Sequence, residues 1–303
     1  MKKFLILLFI FASINCFSQF SKTHYIPPLS GSNSIAAQEQ YLYISTPSLT
    51  PVKVKINAIG VGITNVTVSQ NNPYVYTIGP GTDTQLMASS DFVNTTLSDK
   101  GFIIEAESLV YVAARVLAGN YNQAGSLVSK GMSALGKEFR VGAFINTTTT
   151  NYSPARYTFL SILATENNTL VEFKDIKPGV TLLNNPSVGN TPASITLNKG
   201  QSYVLATEDN SIANKDGLIG ALVKSNKPIA FNCGSFGGTN GNINNNLDLG
   251  FDQIVPIENI KNSSSNETKY IFVRGFGLDI TERPLIVAHE DNTEVFINEV
   301  STT

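Results

Sequence analysis

Tryptophan is absent from the 303 residues, cysteine and histidine occur twice each, and methionine three times. The two histidines, His24 and His289, stand in an N-terminal extension and in a C-terminal turn segment, so neither a Ser-His-Asp triad nor a His-based zinc cluster can be assembled. With Cys16 inside the leader, Cys233 is left without an intramolecular disulfide partner, and in the apolar run Pro228 to Cys233 it reads as a small buried hydrophobe. No basic patch is present. The formal charge of −2 becomes −4 once Lys2 and Lys3 leave with the leader, which argues against nucleic acid and against an anionic membrane surface as partners. Beyond the leader no run is long and apolar enough to span a bilayer. Dinucleotide and P-loop fingerprints are missing, and the Gly-rich stretch Gly234 to Gly241 is not followed by a helix signal, so no cofactor is expected.

What the chain does contain is Val, Ile, Thr, Phe and Tyr in short runs broken by Gly, Asn, Ser and Pro, which favours strands. Residues 1–19 read as a secretory signal peptide: Lys2 and Lys3 form the charged start, Phe4 to Ile14 the apolar stretch, and Ser18-Gln19 the cut site. Cys16 offers an alternative lipoprotein reading, against which stands Asn15, where such a site wants a small residue.

The stretch Asp216 to Gly234, DGLIGALVKSNKPIAFNCG, organises the rest. Two apolar runs flank Lys224-Ser225-Asn226-Lys227, a polar segment with turn composition, so the pair is expected to be a β-hairpin. Gly101 to Arg115, GFIIEAESLVYVAAR, matches Gly220 to Gly234 without a gap, 119 residues upstream. Thr46 and Thr165 share that spacing, in ISTPSLTPVKV and ILATENNTLVEF. Lys269 to Phe276 and Leu285 to Ile297 begin a third copy. Recurrence at domain-sized spacing means repeated modules. The expected fold is all-β: tandem antiparallel β-sandwich-like repeats at 20–137 and 138–268, and the start of a truncated third at 269–303. Leu117 to Gly136 reads as a loop, Ser194 to Leu197 and Ser202 to Ala206 as a hairpin, and Asp91 to Thr96 as a short helical turn.

Four segments carry a resemblance to a known family. Leu163 to Phe173 (LATENNTLVEF) with its echo Val287 to Ile297, Ile195 to Leu205 (ITLNKGQSYVL), Asp216 to Gly234, and Phe251 to Pro256 (FDQIVP) resemble the IgGFc-binding-protein N-terminal domain. That module occurs in mucin-associated animal proteins and in secreted proteins of gliding Bacteroidetes. The resemblance implies an extracellular, non-enzymatic binding or adhesion module at the cell surface or secreted, exported by the type IX route, with further domains C-terminal to this chain. It implies a glycan or protein ligand.

Carboxylates supply the alternative, a secreted carbohydrate-active enzyme. Glu166, Asp175, Glu208, Asp209, Asp216, Asp248 and Asp252 are spread through the second copy, and a glycosidase needs only two at the right separation. Most fall at strand ends and turns, where such residues cap turns and keep edges soluble, which favours the non-enzymatic reading. The ligand-facing surface is expected on two long loops, Gly234 to Phe251 and its counterpart Leu117 to Gly136, with Asn240, Asn242, Asn244, Asn246 and Asp248 as the candidate contact residues. Oxygens at alternate positions there would suit calcium, but the loop lacks the sixth-position Gly and twelfth-position Glu of an EF-hand and reads as an Asn-rich surface loop, with no metal expected. Sequons at Asn65, Asn94, Asn146, Asn151, Asn167, Asn262 and Asn266 mark segments expected to be exposed.

Overall fold

A computed structural model describes residues 19–146, 156–185, 192, 194–239, 247–257, 284–298 and 300–301. The first half contributes β1 (Phe20–Ile26), β2 (Leu29–Ser30), β3 (Ala37–Ser45), β4 (Val52–Ala58), β5 (Gly62–Val68), β6 (Tyr74–Thr77), β7 (Met87–Ala88), β8 (Thr96–Leu97), β9 (Phe102–Ala118) and β10 (Gln123–Val128). The second contributes β11 (Gly136–Arg140), β12 (Tyr157–Ala164), β13 (Thr169–Lys174), β14 (Ile195–Leu197), β15 (Ser202–Glu208), β16 (Leu222–Gly238) and β17 (Asp248–Gln253). A short pair, β18 (Phe296–Ile297) and β19 (Val300–Ser301), follows. The fold is all-β, and apart from the short parallel pair of β2 with β7 its strands pair antiparallel.

The expected hairpin is a single strand. β16 runs unbroken for 17 residues, as does its counterpart β9. At about 3.3 Å per residue each is roughly 56 Å long. One end of β16 pairs with β11 and β13, the other with β12 and β17. The segment that looks like a turn is a bulge: Gly136 faces Ile229 but Glu138 already faces Lys224. Two steps on β11 therefore span five on β16, and Ser225 to Pro228 are taken up in the excess. A bulge and a turn call for the same residues, polar ones and a proline whose missing N–H no ladder needs. β9 carries the same irregularity, with Ser21 facing Val110 and Thr23 facing Glu105. Val110 and Ile229, like Glu105 and Lys224, are 119 apart.

The pairing repeats strand for strand. The first sheet runs β5-β4-β9-β3-β6 with β1 and β10 also on β9; the second runs β14-β13-β16-β12-β15 with β11 and β17 also on β16. Three local expectations change. Residues 117–136 are not a loop: β9 turns back through a tight reversal, Gly119 to Asn122, into β10, and a short 3₁₀ turn, Gly131–Ala134, follows. β14 and β15 do not pair with each other; β14 lies on β13 and β15 on β12, because β13 and β12 follow one another along the same long strand. The helical turn expected at Asp91 to Thr96 is shorter and earlier, a 3₁₀ turn at Ser90–Phe92 with the Ser89 side chain accepting from the Asp91 amide, and Thr96 already belongs to β8.

The cores explain why the halves hold together. Inward residues of the first sheet, among them Leu42, Ile44, Ile104 and Val112, share one buried cluster with Tyr157, Phe159, Val204, Ala206 and Phe236 of the second. The opposite face of β12 and β16 forms a second cluster around Leu160, Ile162, Phe231 and Cys233. Every residue of β12 is therefore buried, whereas its counterpart β3 alternates. β8 crosses over to pair with β15, and Asn232 Nδ2 donates to the Pro27 carbonyl at 3.0 Å. Lys269 to Phe276, the start of the expected third copy, lies outside the described residues. Residues 284–298 reach the second half through His289, whose Nδ1 and carbonyl accept from Arg140 at 3.3 and 3.2 Å.

Candidate functional site

The strands that pair back onto the ends of the two long strands, β10 on β9 and β17 on β16, lie against each other. Asp248 opens β17, and its Oδ1 accepts from the amides of Ala124 on β10 and of Leu249, both at 2.8 Å. Glycine makes this packing possible. Gly125 and Gly250 occupy equivalent places, opposite Val116 and Ser235. A Cβ on Gly125 would run into the Phe251 ring, and one on Gly250 into the Phe144 ring. Of the five expected ligand-facing residues, Asp248 is described and serves as a structural anchor between the halves; Asn240, Asn242, Asn244 and Asn246 lie outside the described residues. The first-half reversal runs through the left-handed region, where Gly119 and Asn120 at φ of 59° and 57° sit readily and Tyr121 at 67° is strained.

Among the described residues, the His24 imidazole and the Cys233 thiol are taken up by the fold. His24 is fully buried, its Nε2 facing the carbonyls of Val110 and Ser21 at 3.1 and 3.3 Å, so Nε2 carries the proton and Nδ1 faces Ser129 Oγ at 2.9 Å. Burial lowers the His24 pKa, against the pull of the two carbonyls. The Ser129 hydroxyl lies between that nitrogen and Gln253 Oε1 at 3.0 Å. Gln253 in turn accepts from the Lys130 amide and donates to the Tyr25 carbonyl, both at 2.7 Å. This His–Ser pair belongs to a polar seam that joins β1 and β10 to β17, with no surface for a substrate. Cys233 is buried, accepts from the Gly142 amide at 3.2 Å, and its thiol is pushed up to about 12 by burial.

Four of the seven carboxylates are paired with a cation. Asp175 pairs with Arg140 at 2.5 Å, Asp216 with Lys177 at 2.9 Å and Asp252 with Lys130 at 2.8 Å. Asp209 is buried 2.7 Å from Arg156, the largest fully buried side chain; burial raises its carboxyl pKa while Arg156 and Lys215 pull it down. Among the described residues no group of three or more His, Cys, Asp or Glu side chains could hold a metal. Of the sequon asparagines, Asn65 and Asn167 are exposed, but Asn146 is buried and accepts from the Thr239 amide at 2.8 Å. Asn94 is half-buried, and Asn151, Asn262 and Asn266 lie outside the described residues.

Sequence reasoning missed an aromatic face. The outer side of β6, β3 and β9 carries Val75, Tyr41, Tyr43, Tyr111, Arg115 and Leu117, all exposed or half-buried. Tyr41 and Tyr43 meet edge to face at 6.0 Å, and the Arg115 guanidinium lies 5.0 Å over the Tyr43 ring. Desolvation, then Glu39, Tyr43 and Tyr121, raise the Tyr41 pKa. The alternation in AQEQYLYIS held the clue, since Leu42 and Ile44 inward put Tyr41 and Tyr43 outward.

A family model described as IgGFc binding protein matches residues 124–303, more than half of the chain. The chain belongs to this IgGFc-binding family. The match begins in β10 and takes in all of the second half, including β16, its bulge and Asp248. No curated protein and no solved structure matches the chain. The IgGFc-binding domains are a family of binding modules, and that assignment agrees with a structure whose histidine, cysteine and buried carboxylate serve the fold. Among the described residues no helix is long and apolar enough to cross a membrane.

Proposed function

We propose that the chain is a non-enzymatic extracellular or cell-surface binding or adhesion module, the N-terminal part of a larger secreted protein, and that its ligand is a protein or glycan met at the reversal between β16 and β17. Family membership over residues 124–303 is the observation that carries this reading. The position of Asp248 supports the choice of surface, because its bond from the Ala124 amide ties the start of β17 to β10. Loops set on a rigid sheet are where binding residues concentrate. Asn240, Asn242, Asn244 and Asn246, in the connection that leads to Asp248, supply hydrogen-bonding side chains for such a ligand.

The test is a binding assay against immobilised IgG Fc and against a panel of extracellular polysaccharides, with wild-type protein and with residues 240–246 replaced by a short Gly-Ser turn. Loss of binding with an unchanged melting temperature is expected. Full binding by the replaced chain would remove the loop from the site.

A further inference from the structure

Corresponding faces of the two sheets have opposite fates. Register equates Tyr41 with Phe159, since Tyr41 faces Arg115 on β9 and Phe159 faces Gly234 on β16, 119 residues further on. By the same registers Val75 stands for Val204, Thr77 for Ala206, Leu117 for Phe236 and Glu39 for Tyr157. The second-half set is buried in the cluster shared with the first half. The first-half set faces outward, and Val75 is 44% exposed. In the second half this face is covered by the inner face of the first sheet, and in the first half no described element covers it.

The substitutions between the two sets follow that difference. Where the permanent contact has Phe159, Ala206 and Tyr157, the open face has Tyr41, Thr77 and Glu39. A tyrosine buries an apolar body yet keeps a hydroxyl that water satisfies when the face is bare, which suits a contact that forms and dissociates. Tyr and Arg are enriched at such contacts, and Arg115 is already set over Tyr43. The face also carries one cation and one anion on neighbouring strands, Arg115 and Glu39, and no ion pair between them is seen among the described residues. A two-fold axis through such a face sets each unlike charge against the other copy's.

We propose that the outer face of β6, β3 and β9 is a self-association surface, on which a second copy of this chain docks face to face through Tyr41, Tyr43, Val75, Leu117, Glu39 and Arg115. Three strands about 4.8 Å apart and roughly six residues long make a patch of about 290 Å² per copy, so about 580 Å² for the pair, small enough for a weak and reversible contact.

Sedimentation velocity over a wide concentration range, on the purified chain, reads this directly. The weight-average mass should climb from monomer toward dimer. Tyr43→Ala and Val75→Lys should each weaken association about thirtyfold or more, as loss of a central contact does. Arg115→Glu and Glu39→Arg should each self-associate poorly, while an equimolar mixture of the two variants should dimerise. Circular dichroism and melting of each variant should match wild type. A wild-type chain that stays monomeric throughout overturns the proposal. So does a dimer that Tyr43→Ala, Val75→Lys and the charge variants leave unchanged. Neither result touches the loop assay, which uses a different surface and a foreign ligand.

Discussion

The Thr165 hydroxyl donates to the Pro228 carbonyl at 2.6 Å, closing the connection after β12 onto the bulge of β16. In the first half the Thr46 hydroxyl does the same to Leu109 at 2.7 Å. Both members of the second pair are 119 residues from those of the first. A carbonyl inside a bulge has lost its ladder partner, and the threonine replaces it.

Thr165→Val should therefore leave the Pro228 carbonyl without its donor and cost about 1 kcal/mol, with Thr46→Val costing about the same. Urea unfolding at fixed pH measures both. Equal loss at the two positions is expected; no loss at either would mean water serves the carbonyl as well as the hydroxyl does.

The buried Arg156–Asp209 pair makes a sharper prediction. Asp209→Asn leaves a guanidinium uncompensated in the interior and should destabilise by about 3–5 kcal/mol. Arg156→Met should do likewise, while the double variant Arg156→Met/Asp209→Leu should be milder than the sum of the singles. Additive losses would show that the two side chains are not energetically coupled.

His24 sets a pH dependence. Its folded-state pKa lies below the ordinary 6.5 because burial disfavours the imidazolium. The unfolded chain then binds the proton more readily, so stability is held above about pH 6.5 and is lost as pH falls below it, down to the folded-state value. His24→Gln should flatten the slope of melting temperature between pH 7 and pH 5 relative to wild type. An unchanged slope would assign the acid sensitivity to other groups.

Cys233 should be silent. With its thiol pushed up to about 12 and its side chain buried, an aromatic disulfide reagent should leave it unmodified in the native state and react promptly after denaturation. Rapid native-state labelling would show that β16 opens on the time scale of the assay.

Much of this was legible in the amino-acid order. Tyr157 to Ala164 and Val52 to Ile56 stand out as strands because apolar residues either run together or alternate, and both are strands in the structure. The 119-residue spacing was legible because the bulge keeps the same length in both halves. What the bulge did was not. Lys224 to Pro228 has the composition of a reversal, and only the partners on both flanks, β11 and β13, decide that the chain goes straight on. The separation of β14 from β15 was hidden for the same reason, since both depend on strands distant in sequence. The candidate loop was placed from its length and composition, but the role of Asp248 depends on Ala124, 124 residues earlier, which no local pattern reveals.

The central claim is that this chain binds a ligand and does not transform it. The most direct measurement is to saturate the purified protein with whichever ligand from the Fc and polysaccharide panel it retains, recover that ligand after prolonged incubation, and compare its mass and chain length with the input. The account predicts reversible, stoichiometric binding with the ligand returned intact. Ligand returned cleaved, in amounts exceeding the protein, with loss of cleavage on replacing two of the carboxylates Glu166, Asp175, Glu208, Asp216 or Asp252, would contradict it.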